Sequence, residues 1–419
     1  MKFTRPGRLY RSLPASIGRS LFAFFSPDTQ LYDDEISSVV ITRGRDSRGG
    51  GLSPSIMEIT VPGTVSPAIN GSLVRFFMRE VPAERLGAIV GKPGAQLSAR
   101  YQGRAGAVSM DDDGKRYTST LTASSFTQQM LTSPRTSRPL AGQTIARVLN
   151  DAFGTLDGSV IAGIEFGAYG TYDRLTISEP EPMRFSDVIS TYAEDLGILI
   201  RETRAGQTHA YTSTYRRDQA LGPQLSAMPH LTRSQALAPA RWDQSNELPG
   251  LRINYSVTNA AGAVSVRTAE IATNLGMLET IDVDWSHING DDTLQTFLEA
   301  YGRVQERSAR HYRLDSISVD LLHLITSPHS FHREQAGNLL TLEAGDPIFL
   351  SGDWPAELQG VHFAQQIKET ISGDEWRLDL SLYPIAQVLG TISPPVPARV
   401  WDSMRHQWDT EPRTWALTT

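Results

Sequence analysis

The chain contains no cysteine, which excludes a disulfide framework, a thiolate nucleophile and a cysteine-held metal. Long apolar runs are missing too. The longest near the N-terminus, Leu21 to Phe25, falls short of a signal-peptide core of roughly seven to fifteen residues, and no stretch reaches the roughly twenty apolar residues of a membrane span. Nor is there an excess of positive charge. The net charge is -7 and the pI near 5.8, whereas a protein that grips nucleic acid needs a basic face to neutralise phosphates. The residues before Asp28 depart from this balance, with Lys2, Arg5, Arg8, Arg11 and Arg19 and no acid. That composition also fits an organelle transit peptide, but Pro6 and Pro14 would interrupt its helix, so a basic arm docking on a neighbouring subunit is expected.

Catalytic signatures are equally scarce. The segment Gly87 to Lys92 approaches a phosphate loop, but its glycine spacing is short by one and Pro93 stands where Ser or Thr would hold magnesium. There is no G-x-S-x-G elbow, no H-E-x-x-H helix and no glycine fingerprint after a strand. His323, His329 and His332 lie close together in HLITSPHSFHREQ, with Glu334 nearby. Three imidazoles could ligate zinc and leave a position open for water. Pro328, however, makes this segment read as a loop between strands with no fixed helical spacing, so no metal and no cofactor is expected. Asp111, Asp112 and Asp113 lack the spaced ligands and bidentate glutamate of a calcium loop and read as a solvated hairpin tip. The Asn-x-Ser sequons at Asn70 and Asn254 have meaning only in a protein secreted by a eukaryote.

What the sequence does contain is turn-rich β structure, with 34 glycines and 24 prolines in 419 residues. That length exceeds one ordinary core. After residues 1–35, the span 36–125 holds SSVVITRGR, SIMEITVP, SLVRFFMREV, AQLSARYQGRAGAVSM and KRYTSTLTAS, with a hairpin signal at Asp113-Gly114. In residues 126–240 the texture becomes helix plus hairpin. GQTIARVLNDAFG and the segment after Ser186 have apolar residues at helical spacing, ILIRETRAGQTHAYTS turns at Ala205-Gly206, and a Pro- and Ser-rich linker follows. Residues 241–385 return to strands (LRINYSVTN, VSVRTAEIA, TIDVDW, LDSISVDLLHL), interrupted by a helix over 292–310 with an inward stripe of Leu294, Phe297, Leu298, Tyr301 and Val304.

The span from Asn338 to Pro384 reads as three closing strands. In the last, Trp376, Leu378, Leu380 and Leu382 alternate with Arg377, Asp379 and Ser381, so one face is buried and the other wet. Residues 386–419 form a Pro-rich spacer followed by Trp401, Trp408 and Trp415 at a period of seven. One apolar position per seven, with Pro412 inside the repeat, is no coiled coil. These tryptophans either dock a partner or pack back on the protein's own surface. The predicted fold class is α+β, mostly β, with two β-barrel modules and an intervening helix-plus-hairpin domain.

Several of these segments, taken in order, resemble the tail hub proteins of long-tailed bacteriophages. They are Thr42 to Arg45, Ser53 to Ser55, Tyr101 to Gly103, Asp113 to Ala123, and the Gly345-Asp346 entry to the three closing strands ending in Tyr383-Pro384. Tryptophan-aspartate pairs after a proline spacer, here Trp401-Asp402 and Trp408-Asp409, are also familiar at the ends of minor tail proteins. The resemblance implies a structural, non-enzymatic virion protein at the tail tip, three copies of which form a pseudo-sixfold ring. Its implied partners are its own copies, the distal tail protein, the tape-measure protein and a tip fibre or receptor-binding protein, with DNA only in transit and no membrane insertion. Two other classes compete with it. One is a carbohydrate-binding adhesin, motivated by the β modules and the tryptophans. The other is a tail-associated peptidoglycan hydrolase, for which too little sequence follows Pro384.

Overall fold

The computed structural model describes residues 20–25, 29–32, 36–44, 51–65, 69–79, 97–125, 136–137, 143–144, 147–148, 151, 161–165, 176–177, 183–184, 187–188, 199–204, 206, 208–211, 228–243, 250–258, 263–271, 280–289, 313–372 and 375–384. The expected helix over 292–310, most of the two shorter helices, the phosphate-loop-like segment and the tryptophan tail lie outside these residues.

The first strands are β1 (Ser20–Phe25), β2 (Thr29–Tyr32), β3 (Ser38–Gly44), β4 (Gly51–Ser53), β5 (Ile56–Pro62), β6 (Leu73–Arg79), β7 (Leu97–Asp112) and β8 (Tyr117–Ser124). Then come β9 (Thr136–Ser137), β10 (Ile161–Glu165), β11 (Thr176–Ile177), β12 (Met183–Arg184), β13 (Leu199–Glu202) and β14 (Thr208–Tyr211). The remainder are β15 (His230–Thr232), β16 (Ala236–Asp243), β17 (Gly250–Thr258), β18 (Val264–Ile271), β19 (Thr280–Asn289), β20 (Arg313–Asp320), β21 (Pro347–Ser351), β22 (Gly360–Ser372) and β23 (Trp376–Pro384). The fold is mostly β and largely antiparallel, as the alternating pattern predicts. β5 buries Met57, Ile59 and Val61, β8 buries Ser119, Leu121 and Ala123, and β23 buries Trp376, Leu378, Leu380 and Leu382. The hairpin expected at Ala205-Gly206 also forms, from β13 and β14.

Strands expected in separate modules share one large sheet, in the order β16-β20-β23-β22-β3-β5-β8-β7-β6-β1-β2. The joint is the antiparallel ladder between β22 and β3, running from Gln366 opposite Gly44 to Ser372 opposite Ser38. β22 divides one of its edges between two partners: residues 360–363 pair with β21 and residues 366–372 with β3. A bulge between Ala364 and Gln366 marks the change: His362, Phe363 and Ala364 are all buried before it, and regular alternation through Ile367, Glu369 and Ile371 follows. Gly44 sits against this bulge at φ +82, where an added Cβ would lie 2.1 Å from the Gln365 carbonyl oxygen, so only glycine fits. Three smaller sheets are also formed among the described residues, β10-β14-β13-β4, β11-β19-β17-β18 and β12-β9.

Two helices cover the core where the sequence reading placed the end of a strand (Leu321 to Leu324), a loop and the start of the closing strands (from Asn338). Helix α1 (Leu321–Thr326) begins at Asp320, whose Oδ1 accepts from the His323 amide at 2.9 Å, and buries Leu321, Leu324 and Ile325. Pro328 does not turn the whole segment into a loop. It lies in the short break after α1, and α2 (Ser330–Thr341) starts two residues later and buries Ala336, Gly337, Leu339 and Leu340. The Arg333 guanidinium donates back to the Ser327 carbonyl at 3.0 Å, satisfying an acceptor at the end of α1. A single apolar cluster includes side chains of β3, β5, β8, β20, β22, β23, α1 and α2. Each large side chain buried there contributes about 1.5–3 kcal/mol.

Candidate functional site

The most distinctive chemistry lies inside the fold, not in a cleft. Strand alternation puts Arg43 of β3 inward after Val39 and Ile41, and Glu369 of β22 inward between Ile367 and Ile371. Across the β3–β22 ladder Ile41 faces Glu369, so Arg43 is its diagonal neighbour. The Arg43 Nη2 donates to Glu369 Oε2 at 3.0 Å. From β7, Arg100 Nη2 donates to Glu369 Oε1 at 2.5 Å, and the Trp376 indole donates to the same oxygen at 3.0 Å. Arg43, Arg100 and Glu369 are all at most 1% exposed. Burial alone would raise the Glu369 carboxyl. The Arg100, Arg43 and Arg204 charges and the indole hydrogen bond outweigh it and hold the group down at about 2.

The arginines also complete the end of α2. Arg100 Nη1 donates to the Leu340 carbonyl at 2.8 Å, Arg204 Nη2 to Leu342 at 2.7 Å, and Arg201 Nη1 to Ala344 at 2.6 Å. Cations and donors belong at this end, where a helix leaves carbonyls without internal partners and carries the negative pole of its dipole. Glu343 Oε1 accepts from the Arg204 backbone amide at 3.2 Å and forms an ion pair with its guanidinium, 3.1 Å from Nε, and Asp346 Oδ1 accepts from Arg201 Nη1 at 2.6 Å. Burial, reinforced by the Arg100 charge, pulls the Arg204 guanidinium down to about 9, with Glu343 opposing, so it stays charged at neutral pH. Five segments distant in sequence (β3, β7, the β13–β14 turn, the end of α2 and β22) are thus tied together by charge.

The histidines are placed but not brought together as ligands. His323 is exposed on α1, and His329 precedes α2 with its ring 5.3 Å from that of His332. The His332 Nδ1 shares a 2.8 Å hydrogen bond with Ser327 Oγ, and burial, followed by the charges of His329 and His323, lowers its pKa. Among the described residues no group of three His, Asp or Glu side chains has the geometry to hold a metal ion. The Asp113-Gly114 turn is a hairpin tip, in which Asp113 Oδ1 accepts from the Lys115 and Arg116 amides at 2.8 and 2.7 Å. Those two amides lower the Asp113 pKa.

Two surfaces stand out as places for a neighbour. The β7–β8 hairpin is exposed throughout from Ser109 to Tyr117. Met110, opposite the buried Ser119, and Tyr117 extend the hairpin's core-facing side beyond the core and are 56% and 54% exposed. At one end of the large sheet, β16 pairs with β20 and carries exposed Leu237 and Trp242. No helix among the described residues is long and apolar enough to cross a membrane.

No family model matches the chain, and no curated protein matches its sequence. Solved structures do match its fold. The 43 kDa tail protein of prophage MuSo2 from Shewanella oneidensis superimposes with a TM-score of 0.57 at 12% identity, covering 88% of this chain and 99% of that one. The tail protein from Neisseria meningitidis MC58 superimposes with a TM-score of 0.55 at 9% identity, over 88% and 99% of the two chains. The chain is therefore similar in fold to phage-type tail proteins over nearly its whole length.

Proposed function

We propose that this chain is a structural tail hub protein, a component of the tip of a long phage-type tail. The observation that carries the reading is the shared fold with two tail proteins over 88% of the chain. Agreement with the order of the hub-like segments Thr42 to Arg45, Asp113 to Ala123 and Gly345 to Pro384 supports it. In this reading three copies close around one axis, since cyclic symmetry lets identical subunits satisfy equivalent interfaces. Each copy supplies two β-barrel modules, centred on residues 36–125 and 241–385, and so presents a pseudo-sixfold ring to a sixfold tube. The tape-measure protein and then DNA pass through, and the net charge of -7 fits a passage without a basic belt that would retain phosphates. The distal tail protein and a tip fibre or receptor-binding protein dock on the exposed hairpin, the strand edges and the chain's extensions. The role is mechanical and not enzymatic. Electron microscopy of assembled tails, or of the protein mixed with its distal-ring partner, tests this. Threefold density at the tip supports the reading, and any other symmetry sinks it.

A further inference from the structure

We infer that the N-terminal strands β3–β8 become structured only together with the C-terminal strand β22, with Glu369 acting as the completion check of the fold. The inference goes beyond the tail-hub reading and does not depend on it. Arg43 and Arg100 both point inward, at 1% exposure, so the N-terminal strands must bury two guanidinium groups to close over their core. Both are ion-paired to Glu369, at 3.0 and 2.5 Å, and Arg43 also lies 3.8 Å from Glu343. Both acids lie in the last part of the described chain, 326 and 269 positions from their arginines in the case of Glu369. A charge buried without its counter-ion is strongly unfavourable, so closing these strands early would bury two cations without the carboxylate that both share.

A second observation points the same way. β3 lies between β5 and β22. Until β22 arrives, β3 is an open edge and cannot shield its hydrogen-bonding groups or its inward face. The Leu340 carbonyl, which accepts from Arg100, also belongs to the late segment. The N-terminal strands contribute Val39, Ile41, Met57, Ile59, Leu121 and Ala123 to the same apolar cluster as Leu378 and Leu380 of β23. Charge, ladder and core are therefore completed by the same event, and a partially made chain offers no finished N-terminal surface to an assembly partner.

Pulse-labelled hydrogen exchange during refolding of the full chain tests this without any variant. Amides of β5 and β8 are expected to gain protection in the same kinetic phase as those of β22 and β23. Protection of β5 and β8 in an earlier phase would overturn the proposal. Native-state exchange on Glu369→Gln then separates the charge from the ladder. If the variant folds, the β5 and β8 amides should lose as much protection as those of β22, whereas loss confined to β22 and β23 would show that the charge does not govern the N-terminal strands.

Discussion

Arg100 on β7 and Glu369 on β22, 269 residues apart in the chain, meet in the interior through a 2.5 Å hydrogen bond between fully buried charged groups. The contact ties opposite ends of the sequence together, and Arg43 shares the same carboxylate. Glu369→Gln keeps the shape but removes the counter-charge of both arginines. Breaking a buried ion pair from one side costs about 3–5 kcal/mol, so urea unfolding should show a midpoint lowered accordingly. Replacing the whole group, as Arg43→Met, Arg100→Met and Glu369→Leu together, should recover most of that loss, because no charge is then left unpaired. A triple variant no more stable than Glu369→Gln would contradict this account.

The same carboxylate sets a pH dependence. Its folded-state pKa, about 2, lies below the ordinary glutamate value of 4.5. The unfolded chain therefore binds the proton more readily, and the stabilisation is present above the ordinary value and lost as pH falls toward 2. A shift of this size corresponds to roughly 3 kcal/mol. Acid titration of stability should show this loss in the wild type between the two values. Glu369→Gln should flatten the curve in that window, and an unchanged slope would remove Glu369 from the account.

Gly44 and Gly114 offer a matched comparison. Both have positive φ, +82 and +79, but a Cβ at Gly44 would strike the Gln365 carbonyl whereas one at Gly114 meets nothing within 4 Å. Gly114→Ala should cost about 1–2 kcal/mol, the penalty of a left-handed conformation alone. Gly44→Ala should cost clearly more, because the β22 bulge must also move. Thermal unfolding that ranked the two variants equal would show that the bulge yields.

Strands such as β5, β8 and β23 were legible because their apolar residues alternate, and the Asp113-Gly114 and Ala205-Gly206 turns carried clear signals, whereas β15 and β16 lie in the segment read as a Pro- and Ser-rich linker and β1 and β2 in the one read as a basic arm, yet all four belong to the large sheet. The helices α1 and α2 were not, since Pro328 drew the whole histidine segment toward a loop reading when it breaks only the space between them. The β3–β22 joint was invisible, because strand alternation says which face is buried but not which distant strand lies alongside. The ionic core did leave a trace in the sequence. Arg43 and Glu369 occupy inward positions of otherwise apolar alternations, and a charged residue in that phase calls for a buried partner. The partner's identity follows only from the topology.

Two surface changes separate docking from folding. Deleting Val396 to Thr419, with Trp401, Trp408 and Trp415, should leave fold and self-assembly intact while abolishing attachment of the next tip component. Loss of soluble protein would favour the reading in which these tryptophans pack on the chain's own surface. Met110→Ser with Tyr117→Ser should alter stability by no more than about 0.5 kcal/mol, as expected of exposed positions. Co-sedimentation with the distal-ring partner should nevertheless fall, and undiminished binding would exclude the β7–β8 hairpin as a contact.

The central claim is tested most directly by electron microscopy of intact tails with this chain located by a bound antibody fragment. The account predicts three copies at the tail tip around a single axis, each contributing two barrel modules to a pseudo-sixfold ring with an opening wide enough for duplex DNA. Label found away from the tip, a ring of any other symmetry, or a subunit contributing one barrel would contradict it.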